Sequence, residues 1–336
     1  MSSSRHPAIR PRLPHPLALL AAAVLGGGAL TACTSGDGSA GSSTGDPRVV
    51  ASTTVYADIA KQVAGDNADV ESVISDPTAD PHSYEASPSD AAAVTAADLV
   101  VYNGAGYDPF VDMALENTDD LPVVRAVDEF ERVFDETVAR HDHGDNGAHG
   151  HSDHDGVNEH VWFSLPTAAA VAERVADELA ELDREHAQYY RTNAQRFSET
   201  LAELEGRLHQ IHDRGHFPYV QTERVGGHLF DAAHLTDLTP RGFLAAIEDD
   251  TDPPAADLSA LLDLVSERRV AFLAFNTQTE TPVTARVRAA ADSADVVVVE
   301  VAETLPEGSD YLTWITAIVN DVSDALDGAT PESGGH

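Results

Sequence analysis

The stretch Arg184–Asp213, REHAQYYRTNAQRFSETLAELEGRLHQIHD, contains no proline and one glycine, Gly206. Tyr190, Phe197, Leu201, Leu204, Leu208 and Ile211 recur in it at three- and four-residue steps or their sum. That spacing predicts one long amphipathic helix. At 1.5 Å per residue the helix spans roughly 45 Å, enough to act as a strut between two lobes. A break into two helices near Gly206 is the alternative.

On either side of the strut, short β-rich segments alternate with helical patterns. The first half predicts strands at 48–52, 69–74, 98–102 and 121–125, with helices at 55–64 and 88–97. Ser87 followed by Pro88 reads as a helix cap with proline at the first helical position. The second half predicts strands at 217–221, 270–275 and 295–300, and helices near 257–268, 282–292 and 309–326. Thr281 and Pro282 form another such start. This rhythm implies α/β architecture, with a parallel, doubly wound sheet in each half.

The ends of the chain set its surroundings. Arg5, Arg10 and Arg12 precede a short apolar run, Leu17–Leu25, which ends in Leu30-Thr31-Ala32-Cys33. Residues 1–32 therefore read as a signal peptide, too short in its apolar part to span a bilayer well. The last four residues resemble a bacterial lipobox, the signal for cleavage before Cys33 and its acylation. An ordinary signal peptide with a chance cysteine is the alternative. Cys33 is the only cysteine, so no internal disulfide can form. Residues 33–47, rich in Ser and Gly, read as a flexible tether, and 329–336 as a disordered tail. The chain is expected outside the cytoplasm, anchored to the cell membrane by its N-terminal lipid. A formal net charge of −37 argues against a nucleic-acid partner.

Ligands of open α/β sheets bind beyond the carboxyl ends of the strands. The loops there carry imidazoles and carboxylates. Asp80-Pro81-His82-Ser83-Tyr84-Glu85 follows the second strand, with prolines stiffening the loop that presents His82. The segment 139–159 holds His141, His143, His149, His151 and His154 among Asp and Gly, and no packed core can form from it. It leads into Asn158-Glu159-His160-Val161-Trp162-Phe163, whose Trp162 and Phe163 are read as core. Glu223 follows the strand ending at 221, and Glu300 and Glu303 close the last one. Neutral imidazole is a good Zn²⁺ ligand, so the pattern points to metal. His186, His209, His212, His216 and His234 have no such setting and are read as surface or helix-face residues.

DPHSYE and NEHVWF, the histidine-rich loop between them and the long connecting helix resemble the zinc- and manganese-binding proteins of ABC importers. The resemblance covers essentially the whole chain after the tether. It implies two Rossmann-like lobes with mostly parallel sheets, 48–183 and 214–328, joined by one long rigid helix over 184–213. The metal would lie in the inter-lobe cleft, as cargo for an ABC permease and its ATPase, with the binding protein a monomer and not an enzyme. Carried over by motif, the ligands are His82, His160, Glu223 and Glu303. His228 is the fallback for the third position and Glu300 for the fourth, while Glu85 and Tyr84 could orient a ligand. Many zinc members have histidine where this chain has Glu223, and manganese members have glutamate. Two imidazoles and two carboxylates neutralise a divalent cation and leave no open position for an activated water. Zn²⁺ is the expected cargo because the five loop histidines favour it; Mn²⁺ is the alternative. The five would form an accessory capture loop. Two rival readings remain. His141-Asp142-His143-Gly144-Asp145 matches the start of a binuclear metallohydrolase signature, in a run where such spacing arises easily by chance. The other is a metal-dependent adhesin.

Overall fold

The computed structural model describes residues 45–79, 81–116, 118, 120–135 and 158–329. The signal peptide, Cys33, the tether up to residue 44, the five loop histidines and the tail from 330 lie outside these residues. The first half runs β1 (Arg48–Thr53), α1 (Thr54–Ala64), β2 (Asp69–Ile74), α2 (Pro88–Thr95), β3 (Leu99–Tyr102), α3 (Pro109–Leu115), β4 (Val123–Arg125) and α4 (Ala126–Phe134). A 3₁₀ turn, Val161–Phe163, then leads into α5 (Leu165–Leu182) and α6 (Ala187–His212). The second half runs β5 (Pro218–Gln221), α7 (Gly227–Ala232), β6 (Thr236–Asp237), α8 (Arg241–Glu248), α9 (Ala255–Ser266), β7 (Phe272–Asn276), α10 (Pro282–Ser293), β8 (Val297–Val301) and α11 (Tyr311–Asp327).

Each half forms a four-stranded parallel sheet, ordered β2-β1-β3-β4 and β6-β5-β7-β8. Counted within its half, each sheet has the same order, so the strand order reverses between β1 and β3, and again between β5 and β7. Those switch points are where a parallel sheet opens a crevice. The central strands β3, β5 and β7 are buried at every residue, as expected for strands covered by helices on both faces. The edge strand β2 instead alternates exposed and partly buried positions over most of its length.

α6 is unbroken through Gly206, which settles the one-helix reading. Its buried residues Tyr190, Ala194, Phe197, Leu201, Leu204, Leu208 and Ile211 form a single stripe at alternating four- and three-residue steps. It starts three residues later than the pattern predicts. The Asp183 carboxylate accepts from the Glu185 and His186 N–H groups at 3.1 and 3.4 Å and from Tyr190 Oη at 2.8 Å, which holds 184–186 in a turn. The stripe packs on α5, α1 and α11. One continuous core runs from Val49 in β1, through α1, α5 and α6, to Phe272 and Val301 of the second sheet. Two smaller clusters sit on the outer faces of the two sheets. The lobes thus share a core rather than a linker.

Both expected caps form. Ser87 and Asp90 make a reciprocal capping box at the start of α2, as do Thr281 and Thr284 at the start of α10. Trp162 and Phe163 are fully buried, as expected. Several helices, α3, α4, α5, α7 and α8, go beyond those predicted. Among the described residues no helix is long and apolar enough to cross a membrane.

Candidate metal centre

Three side chains from distant parts of the sequence converge where the two sheets face each other. His82 lies in the loop after β2, His160 at the mouth of the 3₁₀ turn, and Glu303 just after β8. One donor atom from each lies within 4.8 Å of the others, the only such group among the described residues. His82 Nε2 stands 3.3 Å from Glu303 Oε2. Glu303 and His160 are buried at 1% and 5% exposure, while the His82 side chain is 39% exposed. The site is therefore open on the His82 side and closed behind.

The tautomer of His160 follows from its neighbours. Asn158 Nδ2 donates to the Arg224 carbonyl at 2.5 Å, so its Oδ1 is the acceptor that faces His160. His160 Nδ1–H donates to that oxygen at 2.6 Å, and the His160 backbone N–H donates to it at 3.1 Å. The Nε2 lone pair is thus left pointing into the site. Nε2 is buried with no hydrogen-bond partner among the described residues, and Glu303 Oε2 is buried with only the His82 imidazole beside it. Orphaned atoms of this kind are costly unless something binds them. Burial, above all, holds the His160 imidazolium below its ordinary pKa, which keeps Nε2 a lone-pair donor. Burial raises the Glu303 carboxyl, but the hydrogen bond and charge of His82, with His160 and Asn276, outweigh it and bring the group below its usual range.

Neutral amides do the positioning. Asn276, the last residue of β7, donates through Nδ2 to Glu303 Oε1 at 3.0 Å and also to Glu223 Oε2. Gln278 bridges the lobes: its Nε2 donates to the Pro77 and Ala79 carbonyls at 3.1 and 3.0 Å. Its Oε1 accepts the backbone N–H groups of Glu303 and Thr304. The loop bearing His82 is thereby tied to the loop bearing Glu303. Asn103 Nδ2 donates to the Glu159 carbonyl at 3.0 Å and steadies the residue before His160. Tyr107 packs edge-on against His82 at 4.9 Å between centroids, and its hydroxyl donates to the Glu303 carbonyl at 3.3 Å. Sequence reasoning assigned no role to Asn158, Asn276 or Gln278. Uncharged amides leave no charge pattern to find, although Asn276 and Gln278 do sit at a strand's carboxyl end.

The other sequence candidates are placed as follows. Glu223 is buried beside the group of three but outside it, with Oε1 accepting from Thr279 Oγ1 at 2.6 Å. Burial first, then the charge of Glu303, pushes its carboxyl up to about 7. His228 is half-buried and turned toward the Asn158 carbonyl, 2.8 Å from its Nε2, so it buttresses the His160 segment. Glu300 faces solvent in an ion pair with Arg288 at 2.6 Å, as the in–out alternation of β8 requires. Glu85 is exposed. Tyr84 bonds Asp90 at 3.0 Å and packs on Phe110. His141, His143, His149, His151 and His154 lie outside the described residues.

Fold and donors together define a two-lobed α/β binding protein whose cleft gathers imidazole and carboxylate groups. Residues 49–325 match the family described as ZnuA, zinc-uptake complex component A periplasmic, and the chain belongs to that family. It is 29% identical over 163 residues to the manganese-binding lipoprotein MntA of Halalkalibacterium halodurans, covering 48% of each chain. It is 28% identical over 220 residues to the zinc-binding lipoprotein AdcA of Streptococcus pneumoniae, covering 64% of this chain and 42% of that one. The chain thus spans about half the length of the curated relatives it matches. The laminin-binding protein Lmb of Streptococcus agalactiae, described as an adhesin with metal-transporting activity, shares the fold. The TM-score is 0.66 at 23% identity, over 84% of this chain and 99% of that one.

Proposed function

We propose that the chain is an extracytoplasmic, lipid-anchored binding protein that captures Zn²⁺ in its cleft and delivers it to an ABC permease powered by its ATPase. The observation that carries this reading is the buried, unpartnered His160 Nε2 in a group with His82 and Glu303 whose ligand atoms all lie within 4.8 Å of one another. His82, His160 and Glu303 would be the first three ligands. Glu223 would be the fourth, exchanging its contact with Thr279 or Asn276 for the cation. Two neutral imidazoles and two carboxylates make the loaded cluster nearly neutral, which lowers the penalty of burying a divalent ion. Four protein ligands leave no coordination position for water activation, so the site holds its metal rather than using it in a reaction.

The second reading, Mn²⁺ as cargo, is favoured by Glu223. A carboxylate can turn bidentate and raise the coordination number, which suits the harder ion. Zinc stays first because imidazole binds it more strongly than manganese. Cys33 would carry the lipid, residues 33–47 the tether, and the histidines at 141–154 a weak capture loop, with the protein a monomer. Zinc accumulation by cells growing in chelator-depleted medium tests the role. Cells lacking the chain should recover uptake with the wild type and not with His160→Ala. Equal recovery by both would refute the cleft as the working site.

A further inference from the structure

Asn276 touches both buried carboxylates with one nitrogen. Its Oδ1 accepts the Gln278 N–H at 3.1 Å, so Nδ2 is the atom turned to the acids. Nδ2 donates to Glu303 Oε1 at 3.0 Å and to Glu223 Oε2. Oε2 is therefore the Glu223 oxygen on the Glu303 side. The other oxygen, Oε1, accepts from Thr279 Oγ1 at 2.6 Å, a short bond of the kind a hydroxyl makes to a carboxylate. Asn276 ends β7 and Thr279 stands three residues on, just before the cap of α10, so one short loop supplies both restraints.

Packing does not hold Oε1 in place. Glu223 and Thr279 share a cavity of about 320 Å³, also lined by Thr281 and Val283, which leaves open volume on that side of the carboxylate. An ion that meets Oε2 alone displaces only the Asn276 contact. An ion that takes both oxygens must also break the Thr279 bond. Glu303 is restrained in a similar way, with Oε1 on Asn276 and Oε2 3.3 Å from His82 Nε2. We propose that Thr279 is a specificity-determining positioning residue: its hydroxyl holds Glu223 to a single metal-facing oxygen, so the centre closes at four ligands and favours Zn²⁺ over Mn²⁺. The proposal rests on the cleft being the metal site, with Glu223 as its fourth ligand. Two imidazoles and one oxygen from each carboxylate match the four-coordinate preference of zinc. Manganese is drawn to higher coordination with more oxygen, which Glu223 supplies only by leaving Thr279. A glutamate at this position does not by itself make a manganese site; the hydroxyl beside it decides.

The test is the ratio of Zn²⁺ to Mn²⁺ affinity, measured on the full chain by chelator competition for the wild type, Thr279→Val, Thr279→Ser and His160→Ala. Valine keeps the shape of threonine without the hydroxyl, and serine keeps the hydroxyl. Thr279→Val should lower the ratio roughly 10-fold, mainly through tighter Mn²⁺ binding, the low end of the usual effect of a group that orients metal ligands. Thr279→Ser should keep the wild-type ratio. An unchanged ratio in Thr279→Val, an equal weakening of both ions, or a serine variant that shifts as far as the valine one overturns the proposal. If His160→Ala keeps the tight site, the cleft reading fails and takes this proposal with it. If His160→Ala loses the site while Thr279→Val keeps the wild-type ratio, this proposal alone fails.

Discussion

At the residue scale, the centre depends on neutral side chains as much as on the charged ones. Asn276 holds two buried carboxylates with one amide, an arrangement that keeps like charges together until a cation arrives. Asn276→Ala is therefore expected to weaken zinc affinity by roughly 10- to 100-fold, the usual scale for a group that orients metal ligands. Calorimetric titration checks it; an unchanged affinity would show that the carboxylates orient themselves. Asp108 offers a separate test of burial. Its carboxylate, fully buried, accepts the Asn103 and Gly104 N–H groups at 2.7 and 2.8 Å, yet burial raises its pKa to about 6. Native Asp108 holds its proton at a pH where the unfolded chain has lost it, so the stabilisation is full below about pH 4 and lost as pH rises through about 6. The wild type should lose on the order of 3 kcal/mol from this group between those limits, and Asp108→Asn should not. Urea unfolding of both proteins across that range reads the difference, and parallel curves would contradict the assignment.

At the element scale, the strut and the sheets carry the fold. Gly206 lies inside α6 with open space where a Cβ would project, so Gly206→Ala should stabilise the chain by about 0.5–1 kcal/mol and leave zinc affinity unchanged. A destabilised variant in thermal unfolding would mean that the helix needs a soft point there. The strut was legible in the sequence because its apolar stripe is long and uninterrupted. The strands β2 and β7 were legible because short β-branched or aromatic runs end in loops. α5 escaped notice although Leu165, Ala168, Val171, Ala172, Val175 and Leu179 carry the helical period, since small alanines blur the contrast between faces. β6, two residues long, has no period to read. Of the site, His82, His160 and Glu303 were readable from motifs and strand ends.

At the scale of the whole molecule, the two sheets share one core through α1, α5, α6 and α11. Such a frame leaves little room for the lobes to hinge, so loading should be a matter of loops. Small-angle scattering profiles of chelated and zinc-saturated protein should overlay; a contraction on loading would instead mean lobe closure. The clip that Gln278 forms between the Pro77–Ala79 and Glu303–Thr304 segments is the element such loops would loosen to release the ion. The most direct test of the central claim is a chelator-competition titration of the wild type and His160→Ala with Zn²⁺, repeated with Mn²⁺ as competitor. The wild type should show a tight zinc site that manganese displaces poorly, and the variant should lose that site while keeping its fold and the weaker equivalents. An undiminished tight site in the folded variant would contradict the account.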